Sequence, residues 1–234
     1  MNGYISSGCK LLDALLDGGF PRGRLVQVYG RKFVGKTTLA LQIALVNAEK
    51  GLKTIFIDTG QAYLPYRLSQ MIKQRNEKDL EQIFFIKAKS FKSQLKIIDK
   101  INFYITPKTC AIIVDNISQH YLTERLKSKD QKNMTLGRLL AYQIASLNYI
   151  AEAHNIAVVV TNNGYFKKAE KEYVPVARGI MEKYSDIILL VEHDAVKPSA
   201  RKIILKKKLL DKEYPSLTKT AFFTRVSLTE EGLI

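Results

Sequence analysis

Leu25-Val26-Gln27-Val28-Tyr29 is followed by Gly30-Arg31-Lys32-Phe33-Val34-Gly35-Lys36-Thr37 and then by Thr38-Leu39-Ala40-Leu41-Gln42-Ile43-Ala44-Leu45-Val46. A β-branched run, a glycine-bounded octapeptide and a helical apolar segment thus stand in direct succession. The octapeptide satisfies G-x-x-x-x-G-K-[ST] at every fixed position. At average residue usage such a match arises by chance in roughly 1 in 100 chains of this length, and the strand–loop–helix setting narrows that further. Gly30 and Gly35 let the backbone curl so that successive N–H groups point inward at phosphate oxygens, aided by the positive end of the following helix. Lys36 supplies an ammonium to the β- and γ-phosphates, and the Thr37 hydroxyl is the expected ligand of Mg²⁺. ATP with Mg²⁺ is therefore the expected ligand, and Gly30, Arg31, Lys32, Phe33, Val34, Gly35, Lys36, Thr37 and Thr38 are its expected contacts.

Outward from this loop, short apolar runs alternate with helical-period segments, which predicts βα units and an α/β fold with a mostly parallel sheet. Strands are predicted at Leu25–Tyr29, Thr54–Asp58, Ile83–Ala88, Cys110–Asp115, Ile156–Thr161 and Ile187–Val191. Several read as continuous hydrophobic runs, as strands covered on both faces do. Helices are predicted at Lys36–Lys50, Pro65–Gln74, Phe91–Ile105 and Thr135–His154. In the last, Leu136, Leu139, Leu140, Ile144, Leu147, Ile150 and Ala151 trace one stripe that ends at His154-Asn155. Beyond Val191, Arg201–Leu210 and Ala221–Leu228 predict an antiparallel hairpin at the sheet edge. No linker, repeat or low-complexity segment interrupts residues 1–234, so one domain is expected.

A P-loop requires an acidic partner for the metal at the end of a buried strand. Asp115, closing CAIIVD, fits that role, and Asp58, closing TIFID, is the other strand-end carboxylate. Ligands of open α/β sheets gather outside these carboxyl ends.

The 234 residues carry 37 Lys+Arg against 22 Asp+Glu, a formal charge of +15. That excess calls for nucleic acid, an acidic protein or an anionic membrane surface, and cannot choose among them. The longest apolar runs are far short of the roughly 20 residues that span a bilayer, and MNGYISSGCK has no signal-peptide pattern. Cys9 and Cys110 form no C-x-x-C spacing, and with His120, His154 and His193 they build no four-ligand zinc site of the usual spacing. A reduced, cytoplasmic setting without membrane partners is the expectation.

Several stretches together resemble the RecA/RadA recombinase family, most closely its short archaeal RadB-type paralogues. ISSGCKLLDALLDGGFPRGRLVQVYG resembles the family's lead-in to the P-loop, and TIFIDTGQAYLPYRL its second-strand D-T-E-G and P-x-R motifs. IIVDNIS resembles its Walker B strand, IAEAHNIAVVVTNNG its N-I-x-V-x-V-T-N-Q segment, and FFTRVSLTEEGL its C-terminal motif. The resemblance runs from residue 5 onward and implies a RecA-like ATPase core without the N-terminal helical domain of full recombinases. It further implies DNA, expected to be single-stranded, as ligand, a RadA-type recombinase or another paralogue as protein partner, and a part in homologous recombination and repair. It assigns Thr37 and Asp115 to the metal and Arg67 to the adenine ring.

The departures from the family pattern bear on hydrolysis. The D-T-E-G glutamate is the expected general base, but here Asp58-Thr59-Gly60-Gln61 places Gly60 at that position. Gln61 can orient a water, as glutamine does in some GTPases, but an amide cannot accept a proton as a carboxylate does. Asn163 replaces the glutamine that senses the γ-phosphate. No intact catalytic residue is left, so hydrolysis is expected to be weak or absent while nucleotide binding survives.

For DNA, the resemblance points to two segments read as loops, Thr123–Thr135 and Asn163–Gly179. Their candidate contacts are Arg125, Lys127 and Lys129 in the first, and Tyr165, Phe166, Lys167, Lys168 and Arg178 in the second, rings among cations as single-strand binding requires. The densest basic run, Lys197 to Lys219, adds Lys206, Lys207 and Lys208, with Lys206 and Lys208 expected on one strand face and Lys207 on the other. A rival reading is a KaiC-like P-loop regulator whose nucleotide state controls a protein partner and whose basic surface is incidental.

Overall fold

The computed structural model describes residues 3–60, 64–73, 75–127, 130–197, 199–208 and 223–234. Gln61, Lys129, Lys212, Lys219 and the other residues of 209–222 lie outside these residues. In chain order the strands are β1 (Tyr4–Ile5), β2 (Phe20–Pro21), β3 (Leu25–Gly30), β4 (Lys53–Asp58), β5 (Ile83–Lys87), β6 (Thr109–Asp115), β7 (Ala157–Lys167), β8 (Glu172–Pro175), β9 (Ile187–His193), β10 (Ala200–Lys208) and β11 (Phe223–Ser227). The helices are α1 (Lys10–Leu15), α2 (Lys36–Ala48), α3 (Leu64–Ile72), α4 (Phe91–Lys100), α5 (Gln119–Leu126), α6 (Asp130–His154) and α7 (Arg178–Tyr184).

The main sheet has the order β11-β10-β9-β3-β7-β6-β4-β5, with β8 added onto β7. The strands from β9 to β5 pair in parallel, and β10 and β11 continue the sheet antiparallel beyond β9. This is the mostly parallel sheet with a C-terminal antiparallel hairpin that the strand–helix rhythm predicts, and it has the RecA-like form that the motif resemblance implies.

Side chains alternate across the sheet, so a strand buried on both faces feeds two cores. On β3, Val26 and Val28 enter one core with α2 and the N-terminal segment, whereas Leu25 enters the other with α4, α6 and α7. Tyr29 joins Ile188 and Leu190 in a small third cluster beside β8. Helix α2 is buried nearly all round, and its polar residues are accommodated by specific bonds. Asn47 Nδ2 donates to the carbonyls of Ser6 (2.9 Å) and Ile43 (2.7 Å), and Gln42 exchanges hydrogen bonds with the Leu233 backbone at 2.9 and 2.6 Å. The stripe on α6 faces the core, and the helix ends at Asn155, whose φ of 50° is left-handed. The Ile156 N–H donates to the Ala151 carbonyl (3.1 Å) and the Asn155 N–H to that of Glu152 (3.2 Å), a Schellman ending.

Some segments differ from expectation. Residues 123–135 form no long loop, since α5 runs to Leu126 and α6 begins at Asp130. Residues 163–179 are an antiparallel hairpin, in which β7 continues to Lys167 and pairs back with β8 in the register Tyr165↔Val174 and Phe166↔Tyr173. On β10 a bulge between Leu205 and Lys207 breaks the alternation expected of Lys206–Lys208, because one extra residue resets which side chain faces which way. The segment Phe91–Ile105 is helical only to Lys100, where a 3₁₀ turn, Ile101–Tyr104, takes over.

Candidate functional site

The parallel strands bring their carboxyl ends to one edge of the sheet. The P-loop leaves β3 there, Asp58-Thr59-Gly60 leaves β4, Asp115 closes β6, and Asn163 lies on β7 opposite Gly30. A cleft of about 670 Å³ opens at this edge, lined among others by Lys36, Thr37, Arg67, Asp115, Asn116 and Asn163. That volume is within the range of about 300–1,000 Å³ usual for small-molecule sites.

The loop's form follows from its residues. Gly35 caps α2 with φ 103°, a left-handed value that glycine adopts without steric cost. At Gly30 a Cβ would lie 2.2 Å from the Val191 carbonyl oxygen, so close packing on β9 requires glycine. Lys36 is buried, and its ammonium donates to the carbonyls of Gly30 (3.0 Å) and Arg31 (2.6 Å) inside the loop. Burial lowers its pKa to about 8, against the opposing pull of Asp115. Phe33, at φ 63°, projects outward and is 84% exposed.

Asp115 lies 1% exposed beneath the loop. The Thr161 hydroxyl donates to its Oδ1, while its Oδ2 has no hydrogen-bond partner among the described residues. Burial pushes this carboxyl up, and Thr161, Thr37 and Lys36 pull it back down. A buried carboxylate oxygen without a donor, beside a threonine hydroxyl and an ammonium, fits a hard divalent cation. The nitrogen-lined loop next to it fits a phosphate chain. The donor set of the cleft therefore fits a magnesium–nucleotide complex, which supplies electrophilic activation of the γ-phosphate when bound.

Arg67 is buried at the same cleft. Its Nε donates to Thr38 Oγ1 (3.0 Å), one terminal nitrogen to Gln70 Oε1 (3.0 Å) and the other to the Thr229 carbonyl. Gly60 has φ 93°, and its N–H donates to Asp58 Oδ1, two residues back (2.8 Å). The Asn163 side chain accepts from Asn116 Nδ2 (3.0 Å) at the cleft wall.

Two groups of site residues were not singled out from sequence. The C-terminal Thr229 and Glu230 close one side of the cleft, held there through the Gln42–Leu233 bonds; the TEEGL stretch was their sequence signal. Arg201, 167 residues beyond Val34, donates from Nε to the Val34 carbonyl (3.1 Å) and ties β10 to the P-loop.

The residues proposed for DNA fall in three places. Arg125 and Lys127 are exposed at the end of α5, and Tyr165, Phe166, Lys167 and Lys168 are exposed on the β7–β8 hairpin. Arg178 opens α7 inside an acidic cluster, with Glu170, Glu182 (2.7 Å) and Glu172 (3.8 Å) around it, and Lys167 pairs with Glu170. The lysine run of β10 is engaged: Lys206 pairs with Glu172 (2.9 Å), Lys207 donates to the carbonyls of Glu182 (2.5 Å) and Ser185 (2.7 Å), and Lys208 pairs with Asp17. Lys207 is thereby fixed at the end of α7 instead of standing on an opposite open face.

Fold and cleft together define a RecA-like P-loop core with its nucleotide edge at the carboxyl ends of β3, β4, β6 and β7. A family model described as Rad51 matches residues 3–202, and the chain belongs to that family. It is 37% identical over 207 residues to the DNA repair and recombination protein RadB of Thermococcus sibiricus, covering 87% of this chain and 86% of that one. The RadB of Thermococcus kodakarensis is 34% identical over 206 residues, covering 87% and 89%. A crystal structure of the RadB recombinase superposes with a TM-score of 0.76 at 31% identity and covers 98% of both chains. No helix among the described residues is long and apolar enough to cross a membrane.

Proposed function

We propose that this chain is a RadB-like recombinase paralogue that binds ATP with Mg²⁺, binds DNA, and assists a main RadA-type recombinase in homologous recombination and repair. The observation that carries the nucleotide half is the pairing of a P-loop lysine with a buried, half-satisfied Asp115 in one cleft. Lys36 exchanges its loop carbonyls for phosphate oxygens, Thr37 and Asp115 hold the metal, and Arg67, already fixed by Thr38 and Thr229, forms the wall against which the base packs.

Hydrolysis is weak in this reading, because Gly60 offers no carboxylate to activate water and the Asn163 amide is tied to Asn116. Family membership and the names of its relatives support the DNA half, as do the exposed rings and cations of the β7–β8 hairpin. The whole chain works as one ATPase core on a cytoplasmic substrate, single-stranded DNA.

Oligonucleotide binding with and without ATP across a salt series, comparing wild type with Lys36→Ala, tests the proposal. Expected are affinity that falls steeply with salt and a nucleotide response lost in the variant. No oligonucleotide binding at any salt, with nucleotide binding intact, would reassign the chain to a nucleotide-controlled partner of another protein.

A further inference from the structure

The basic excess is not spent where the sequence concentrates it. On β10, Lys206 and Lys208 pair with Glu172 and Asp17, and Lys207 is held by backbone carbonyls. By contrast, Lys92, Lys96 and Lys100 recur at spacings of four along α4, Lys89 stands just before its Ser90 N-cap, and all four are exposed. None of them has a carboxylate within ion-pair distance among the described residues. Helix α4 buries Phe91, Gln94 and Ile98, so residues on its opposite side line up outward, with about 5–6 Å between Cβ atoms three or four positions apart. Asp99 is the one acid within the helix.

Apolar rings flank this stripe. β5 is the last strand of the sheet, and its Phe84 stacks on Tyr104 with centroids 5.3 Å apart; both rings are about half exposed, and Phe103 is 85% exposed. Tyr104, Lys96 and Lys100 share a cleft of about 190 Å³ with Ile86 and Ile97. At the other end, the stripe meets α5. A ring nitrogen of His120 lies 2.7 Å from the Ala88 carbonyl, and Tyr121 packs against Phe91, which sets Lys89 beside the helix that carries Arg125.

We infer that the exposed face of α4, with the Phe84–Tyr104 stack at its end, is a second nucleic-acid-binding surface that continues from α5 to the β5 edge of the sheet. Unpaired cations along a line, with rings beside them, are the two elements of sequence-tolerant single-strand binding, phosphate attraction and base stacking. An acidic peptide anchored in the small cleft would meet Lys96 and Lys100 and leave Lys89 and Lys92 without counter-charge. A polyanion following the helix meets all four.

The inference rests on the DNA-binding reading above, and one experiment separates the two. Fluorescence anisotropy with a labelled oligothymidine over a salt series compares wild type, the triple variant Lys92→Ala, Lys96→Ala, Lys100→Ala, and the triple variant Lys206→Ala, Lys207→Ala, Lys208→Ala, each first checked by circular dichroism. With about 0.7 counterions released per phosphate on single strands, the α4 variant is expected to lose at least tenfold in affinity at low salt and to flatten the log–log salt slope by about 2. The β10 variant is expected to keep the wild-type slope. An α4 variant that matches wild type overturns the inference. If that variant also changes oligomeric state in size-exclusion chromatography, the face belongs to a protein contact instead. A wild type that binds no oligonucleotide at any salt overturns the DNA-binding reading itself.

Discussion

The guanidinium of Arg31, in the P-loop, lies 5.8 Å over the ring of Tyr173 on the β7–β8 hairpin. Tyr173 is held from two further sides, since its carbonyl accepts from the Tyr29 hydroxyl (3.1 Å) and its ring meets Phe166 edge-on at 5.4 Å. The backbone carbonyl of the same Arg31 accepts from Lys36, so a change in the lysine's partners is felt at the very residue whose side chain steadies the hairpin. A cation–π pair at a partly exposed site is worth about 0.5–1 kcal/mol. Arg31→Ala is therefore expected to speed amide hydrogen exchange in residues 165–173 about two- to five-fold, read by mass spectrometry. Unchanged exchange would show that the hairpin is steadied without the P-loop.

The Lys36 ammonium, with a pKa near 8 in place of 10.5, makes nucleotide binding pH-dependent. Below about pH 8 the side chain is charged before ligand arrives; above it, a neutral amine must take up a proton, because the phosphates favour the charged form. Isothermal titration of ATP in buffers of different ionisation enthalpy is expected to show proton uptake that grows as pH rises through about 8, with weakening affinity. Enthalpies that do not depend on the buffer across that range would contradict it.

Asp115→Asn separates the metal role of this residue from its structural one. The amide keeps an acceptor for the Thr161 hydroxyl but cannot serve a cation as a carboxylate does. The folded carboxyl is raised by burial, so ionisation costs stability at pH above its folded value, and removing the charge relieves that cost. The variant is expected to lose the Mg²⁺ enhancement of ATP affinity while its Tm rises by a few degrees, on the order of 1 kcal/mol. Retained Mg²⁺ dependence would place the metal on another group.

Gly60→Glu restores a carboxylate where relatives of the resembled pattern carry one. A Cβ there meets no atom within 4 Å, so space is available, but φ 93° strains any side chain at a cost of about 1–2 kcal/mol. The expected result is a lower Tm and a higher ATP turnover, with Gly60→Ala giving the Tm loss alone. Turnover equal to wild type in Gly60→Glu would assign the defect to Asn163.

What was legible in the sequence was whatever chain-local chemistry determines. The P-loop, the strand-end Asp115 and the α6 stripe each announce themselves within one segment, by fixed spacing or by period. The β7–β8 hairpin did not, because NNGYFKK lacks an alternating apolar face and its turn dipeptide, Asn163-Gly164, lies inside β7 instead of at the reversal; the hairpin is stabilised by packing around Tyr29 and Tyr173. The β10 bulge was equally hidden, since a bulge is a relation to the partner strand β9. The fate of the charges was the least legible. Lys208 meets Asp17 and Lys206 meets Glu172 across long stretches of chain, so two lysines of a run that reads as free basic surface are paired, while the α4 lysines, spread thinly in sequence, stand together in space.

The central claim, a P-loop core that binds ATP without hydrolysing it efficiently, is tested most directly by measuring ATP binding with Mg²⁺ and phosphate release on the same samples of wild type and Lys36→Ala. The account predicts Mg²⁺-dependent ATP binding by wild type, its loss in the variant, and phosphate release far slower than that of related recombinases. Brisk phosphate release by wild type that Lys36→Ala abolishes would contradict it.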